Sequence, residues 1–312
     1  MARPRVWRLL QFVAGAAVVA LAVRSVALNW QSLRTQPIEW RISSGWILAS
    51  IAVVFAAYAV LIEAWRRVVL SMGEVLPFFP AARIWFLASL GKYVPGKVWA
   101  VAGAAVLAQR AGVDPSVAVA GALILQALAL ASGATAVAIT AREAFQAIGP
   151  GLQPIAYLLV AASLAGILIL GSQRLLDRVG QILPASFPRL RATSPGVLVA
   201  AFGANLFAWV AYGVALIFLA RGLLPDVSLT LAQAVGVFTS SYLVGFIALF
   251  APGGLGPRES MFLLMLSGAI GLKPAAALAL ASRLLLTGTE VLPAVPLLLR
   301  RRSPSPSSIR EV

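Results

Sequence analysis

Polar residues are sparse and clustered along this chain, so long apolar runs alternate with short charged or Pro/Gly-rich breaks. A helix needs about 20 residues to cross a hydrocarbon core of about 30 Å. Six runs meet that length: Val6–Asn29, Gly45–Glu63, Ser116–Thr140, Gln153–Gly171, Pro195–Ala220 and Pro274–Leu299. Leu, Ala, Val and Ile fill them without period-two alternation, which predicts helices rather than a transmembrane barrel. Two further apolar regions are interrupted. Pro80–Arg110 is broken by Gly91-Lys92-Tyr93-Val94-Pro95-Gly96-Lys97, and Leu229–Gly271 by Ala251-Pro252-Gly253-Gly254-Leu255-Gly256-Pro257-Arg258-Glu259. Each reads as a helix, a break and a second short helix. The predicted fold is therefore an all-α integral membrane protein with six full spans plus two broken or re-entrant hairpins, or eight spans if the hairpins cross.

The two broken regions resemble each other. Pro95-Gly96-Lys97, a short helix, Gly112-Val113-Asp114-Pro115 and a full span recur as Pro252-Gly253-Gly254, a short helix, Gly271-Leu272-Lys273-Pro274 and a full span. This predicts one transmembrane domain over 1–299, with repeats at about 45–140 and 195–299, followed by a disordered basic tail, 300–312. If the N-terminus is cytoplasmic, fifteen basic residues fall inside and five outside, the outer ones being Arg34, Arg41, Arg142, Arg221 and Lys273. That asymmetry follows the positive-inside rule and puts both termini in the cytoplasm. The first break is then reached from inside and the second from outside, the pattern of inverted repeats whose interrupted helices carry sites near the midplane. Arg3, Arg5 and Arg8 before an apolar run imitate a signal peptide, but the run continues to Asn29 and leads into more spans, so the segment is expected to stay.

Composition agrees and removes chemistries. Of 312 residues 61% are apolar and only 11% charged, far from the soluble pattern. With no His and no Cys, imidazole acid–base schemes, thiol chemistry, disulfides and the usual zinc sites are excluded. No cofactor or metal is expected, and no enzymatic activity. The net charge of +15 would suggest nucleic acid in a soluble protein; here it suggests anionic lipid at the cytoplasmic face, and no nucleic acid. Gly91-Lys-Tyr-Val-Pro-Gly96-Lys97-Val98 imitates a phosphate-binding loop, but Val98 replaces the magnesium-binding Ser or Thr and no strand precedes it.

Ionisable groups inside spans are costly and usually face a partner or a cavity. Lys92, Lys97, Arg258 and Arg283 are the candidate ligands of a headgroup phosphate, with Glu259 and Glu290 either balancing them or taking up protons. Pro95, Gly96, Pro252, Gly253, Gly254 and Gly256 are the expected breaks or hinges, where glycine lets backbone approach a ligand and a new helix offers free N–H groups. Arg283, Thr287 and Glu290 share one helical face, and about 10 Å of rise keeps Arg283 from Glu290. The expected pairs are Glu259 with Arg283 and Arg258 with Glu290. Arg24 and Glu63 read as interfacial, and Trp7, Trp30, Trp40, Trp46, Trp65 and Trp99 as interface anchors. The bland alternative is that these charges only staple two repeats together.

Ser89-Leu90-Gly91-Lys92-Tyr93-Val94-Pro95-Gly96-Lys97-Val98-Trp99 with Arg110-Ala111-Gly112-Val113, and Leu249-Phe250-Ala251-Pro252-Gly253-Gly254-Leu255-Gly256-Pro257-Arg258-Glu259 with Ser282-Arg283-Leu284, resemble the two signatures of the lysylphosphatidylglycerol-synthase transmembrane-region family. These flippase-like proteins include the membrane half of the multiple peptide resistance factor. The resemblance runs from about Arg66 to Glu290 and implies movement of lipids between leaflets. It departs in two places. No soluble synthase domain follows, so the chain is expected to be a stand-alone member that does not aminoacylate lipid. Many relatives carry an acidic residue and Arg after the first Pro-Gly, where Lys97-Val98-Trp99 stands here, so lysyl-lipid specificity does not carry over. The expectation is a translocase in the plasma (inner) membrane for a polyprenyl-phosphate sugar, another glycolipid or a phospholipid, with glycosyltransferases as possible partners. A membrane enzyme acting on lipid, a transporter of a small soluble anion and a glycosyltransferase scaffold are the rivals.

Overall fold

The computed structural model describes residues 41–93, 98–140, 152–181, 193–248 and 251–299. The expected first span Val6–Asn29, Arg24, the break residues Pro95, Gly96 and Lys97, and the 300–312 tail lie outside them. Every regular element among the described residues is helical: α1 Ser44–Ser71, α2 Phe78–Ser89, a 3₁₀ turn Leu90–Tyr93, α3 Val98–Arg110, α4 Pro115–Thr140, α5 Leu152–Leu170, α6 Gln173–Gly180, α7 Pro195–Leu223, α8 Leu231–Ile247, a 3₁₀ turn Pro252–Gly254, α9 Pro257–Ile270 and α10 Leu272–Leu299. Among the described residues four helices are long and apolar enough to cross a membrane: Ser44–Ser71, Pro115–Thr140, Pro195–Leu223 and Leu272–Leu297. Each coincides with an expected span. The chain is a membrane protein.

The interrupted regions differ from these spans in length. Helices of 12 residues (α2) and 13 residues (α3) reach about 18 and 20 Å, well short of the hydrocarbon core. Helix α8 has 17 residues and α9 has 14. The order long helix, short helix, 3₁₀ turn, short helix, long helix thus occurs twice, as α1–α4 and as α7–α10.

Helices α1 and α7 form the spine. Ser43 N–H donates to Gly222 O at 2.9 Å and Ser50 Oγ to Ala215 O at 2.7 Å, so the two run antiparallel. Small residues permit the closeness, as lipid tails supply no hydrophobic drive between spans. A Cβ on Gly222 would lie 2.9 Å from Ile47 Cγ1, and one on Gly213 would lie 2.9 Å from the backbone nitrogen of Val235 on α8. Polar links cross the bundle where they are satisfied: Trp209 Nε1 donates to Ser132 Oγ at 3.1 Å. Thr230 caps α8 by accepting from Gln233 N–H, while the Gln233 side chain accepts from Thr230 N–H.

Candidate functional site

The two 3₁₀ turns meet. A Cβ on Gly253 would lie 3.4 Å from Tyr93 Cδ1, so the Tyr93 ring rests on bare backbone of the second turn. Gly253 (φ 57°), Gly254 (φ 73°) and Gly256 (φ 90°) adopt left-handed backbone that disfavours a side chain. Gly254 is confined further, because a Cβ there would come within 2.9 Å of Gly245 Cα on α8. A side chain at either glycine would push the broken segment off α8. Gly91 has the same part in the first hairpin, where a Cβ would meet the Trp99–Ala100 backbone.

Around this contact lie two charge clusters. Glu290, 6% exposed, accepts from Lys92 Nζ at 2.5 Å, from the Tyr93 hydroxyl at 2.8 Å and from the Tyr58 hydroxyl at 3.2 Å. Tyr93 also reaches Thr287 Oγ1 at 3.3 Å, and Tyr58 lies 3.4 Å from Thr289 Oγ1. One carboxylate therefore ties the first break to α10 and α1. In the second cluster Arg283 is ion-paired to Glu259 through Nη1, while its Nη2 reaches Gly253 O at 3.4 Å. Glu259 reaches back to Gly256 N–H at 2.8 Å, capping α9. Arg283 and Glu290 bracket the middle of the 28-residue α10, so both clusters lie at mid-depth of a spanning helix.

Arg258 is different. It is 9% exposed and its guanidinium lies 5.3 Å from the Phe238 ring and 6.0 Å from the Tyr242 ring, both on α8. Its Nη2 has no hydrogen-bond partner. Glu259, Tyr242, Arg283 and Glu290 are its electrostatic neighbours.

The Glu259–Arg283 pair is thus present as the sequence predicts. The expected Arg258–Glu290 pair is not: Lys92 occupies Glu290, and Arg258 turns onto the aromatic face of α8. The spacing of charges within the second hairpin could not reveal that a cation from the first hairpin competes for Glu290. Glu63, expected at an interface, stands within α1, which continues to Ser71; it holds Arg66 at 2.6 Å and Arg67 at 2.8 Å. Trp65, expected as an interface anchor, is only 3% exposed and belongs to the core.

Sequence reasoning passed over Tyr58, Thr289, Phe238, Ser241 and Tyr242. A signal existed: of the five tyrosines in the chain, Tyr58, Tyr93, Tyr212 and Tyr242 all stand here. Two of their rings join two phenylalanines in a path across the bundle, from Phe86 to Tyr58 (5.8 Å) to Tyr212 (6.3 Å) to Phe238 (5.1 Å, stacked), which ends under Arg258. A buried phenol brings an apolar body and a polar tip that wants a partner.

The sequence model of the lysylphosphatidylglycerol synthase TM region matches residues 8–293. The chain belongs to that family. Both interrupted segments and all the residues just described fall inside the matched range. No curated protein matches the chain. Membership makes this a membrane-domain protein of a lipid-related family, and leaves what it acts on to be argued from the site.

Proposed function

We propose that this chain is a lipid translocase that moves an anionic phosphate-headgroup lipid between the leaflets of the plasma (inner) membrane. The single observation that carries the reading is the meeting of the two broken segments at Tyr93 and Gly253, which gathers Lys92, Arg258 and Arg283 with Glu259 and Glu290 at mid-depth. Charges at that depth cost about 2.5–3.5 kcal/mol each on insertion scales, so five of them in one place call for a function beyond anchoring.

On this reading α1–α4 and α7–α10 are two inverted repeats with re-entrant hairpins. Support comes from the antiparallel run of α1 against α7, the leading helices of the two sets, and from short helices that cannot span alone. The headgroup enters between the breaks, where cations replace its water, and its tails stay in the bilayer. The two carboxylates hold Lys92 and Arg283 while the site is empty. A relay of this kind needs the pairs to open as the headgroup arrives, and each pair joins a broken segment to α10. Lys92–Glu290 joins the first break to the last helix; Glu259–Arg283 joins the second break to that same helix.

The test is reconstitution into liposomes with labelled phospholipid and labelled polyprenyl-phosphate sugar, scoring the share of label reachable from outside with time. Wild type is expected to equilibrate at least one of these lipids faster than empty vesicles, and Arg258→Gln to do so at the empty-vesicle rate. Movement of neither lipid by wild type refutes the translocase.

A further inference from the structure

The site's charges do not cancel, and the surplus has an address. Lys92 is matched by Glu290 and Arg283 by Glu259, whereas Arg258 is matched by no carboxylate among the described residues. A buried cation with no carboxylate paired to it, and with its Nη2 lacking a hydrogen-bond partner, is a costly arrangement. Here it is built rather than tolerated. Gly245 brings α8 so close that a Cβ there would lie 2.9 Å from Arg258 Cβ, and Phe238 and Tyr242 on the same α8 face bracket the guanidinium. A second orphan stands on that face. Ser241, three residues after Phe238 and four before Gly245, is fully buried, and its Oγ has no partner. Thr239 and Ser240 are buried without partners too, but helical spacing turns them away from this face.

Two unsatisfied donors against one helix face, with a single unmatched positive charge among the described residues of the site, describe a receptor for an oxyanion of one negative charge. We propose, resting on the translocase reading, that Arg258 and Ser241 receive a phosphodiester monoanion and that the site discriminates against phosphomonoesters and diphosphates. The two non-bridging oxygens of a phosphodiester satisfy guanidinium and hydroxyl together. A phosphomonoester carries about 1.5 to 2 negative charges at neutral pH, and its excess would face Glu259 and Glu290, which already hold the other two cations. Like-charge juxtaposition in a buried site is the means by which a protein rejects a near-isostere.

Three measurements decide the matter. In liposomes, tail-labelled phosphatidylglycerol is expected to exchange leaflets at least ten-fold faster than phosphatidic acid with the same tails, and Arg258→Gln to abolish the faster movement. Equal rates for the two lipids, both above empty vesicles, overturn the charge rule and leave the translocase standing. In detergent, dimethyl phosphate is expected to raise the melting temperature of the wild type and not of Arg258→Gln; pyrophosphate raising it as much overturns the rule even where no lipid moves, which by itself refutes only the translocase. Uptake of dimethyl phosphate into tight vesicles without lipid movement would assign the same site to a free soluble phosphodiester and refute the lipid source. Without ligand, Arg258→Gln is expected to melt no lower than wild type, because it removes an unmatched charge. A fall of several degrees would make Arg258 a structural post and refute the receptor.

Discussion

The Lys92–Glu290 pair allows a quantitative check of how the two halves of the chain are joined. Glu290 is the more enclosed partner, its side chain 8% exposed against 31% for Lys92, and it accepts two phenol hydroxyls besides the ammonium. Removing one member of a buried ion pair costs about 3–5 kcal/mol, because the other charge is stranded. Lys92 keeps some contact with water, so Glu290→Gln is expected to cost about 2–3 kcal/mol rather than the full range. Lys92→Met strands a carboxylate that still has Tyr58 and Tyr93 as donors, which argues for about 2 kcal/mol. The double variant carries neither charge and should stand within about 1 kcal/mol of wild type, since apolar replacement of a whole buried pair is often neutral. The implied coupling is about 3–5 kcal/mol, roughly a 150- to 5,000-fold effect on the unfolding equilibrium. The eight tryptophans make fluorescence a suitable monitor of unfolding by a denaturing detergent in mixed micelles. Additive losses within about 0.5 kcal/mol would show that the two groups do not act as a pair and refute the reasoning. Transport separates structure from function: the double variant regains stability but should still fail to move lipid, as it has lost a cation of the site.

Swapping the other pair, Glu259→Arg with Arg283→Glu, should recover part of the transport lost by either single change but not all, because Glu259 also caps Gly256 N–H and Arg283 also reaches Gly253 O; initial rates in liposomes giving no recovery would refute the pairing. Gly254→Ala, with φ 73° and Gly245 Cα 2.9 Å from the new Cβ, should cost about 2–4 kcal/mol, whereas Gly268→Ala, with nothing within 4 Å of its Cβ, should be neutral or slightly stabilising in the same unfolding assay. The absence of cysteine makes single-cysteine labelling clean: Val75→Cys and Ala111→Cys should both stay hidden from an impermeant maleimide in intact cells, and Ile42→Cys should label. Labelling of Val75→Cys but not Ile42→Cys would reverse the orientation.

What could be read from sequence follows from range. The spans were legible because the cost of polar backbone and side chains in hydrocarbon is local, and a run of apolar residues reports it directly; α4 and α7 begin within a residue of where the pattern puts them. The breaks were legible for the same reason, since Pro and Gly act on their own backbone. Partner choice is a long-range property, and there the reading divides. Glu259 and Arg283 come from adjacent helices, and their pairing followed from neighbourhood in the chain. Lys92 and Glu290 are 198 residues apart, and no spacing rule links them. The tyrosines were missed for a related reason: within an apolar run a phenol reads as bulk, and only the fold shows that Tyr58 and Tyr93 converge on one carboxylate. Arg258 carries the argument furthest. Its burial at a Pro/Gly break was foreseeable, and a partner was therefore expected. With Glu290 taken by Lys92 across the bundle, the fold withholds that partner, and a charge left open at mid-depth is what a site for an incoming anion requires.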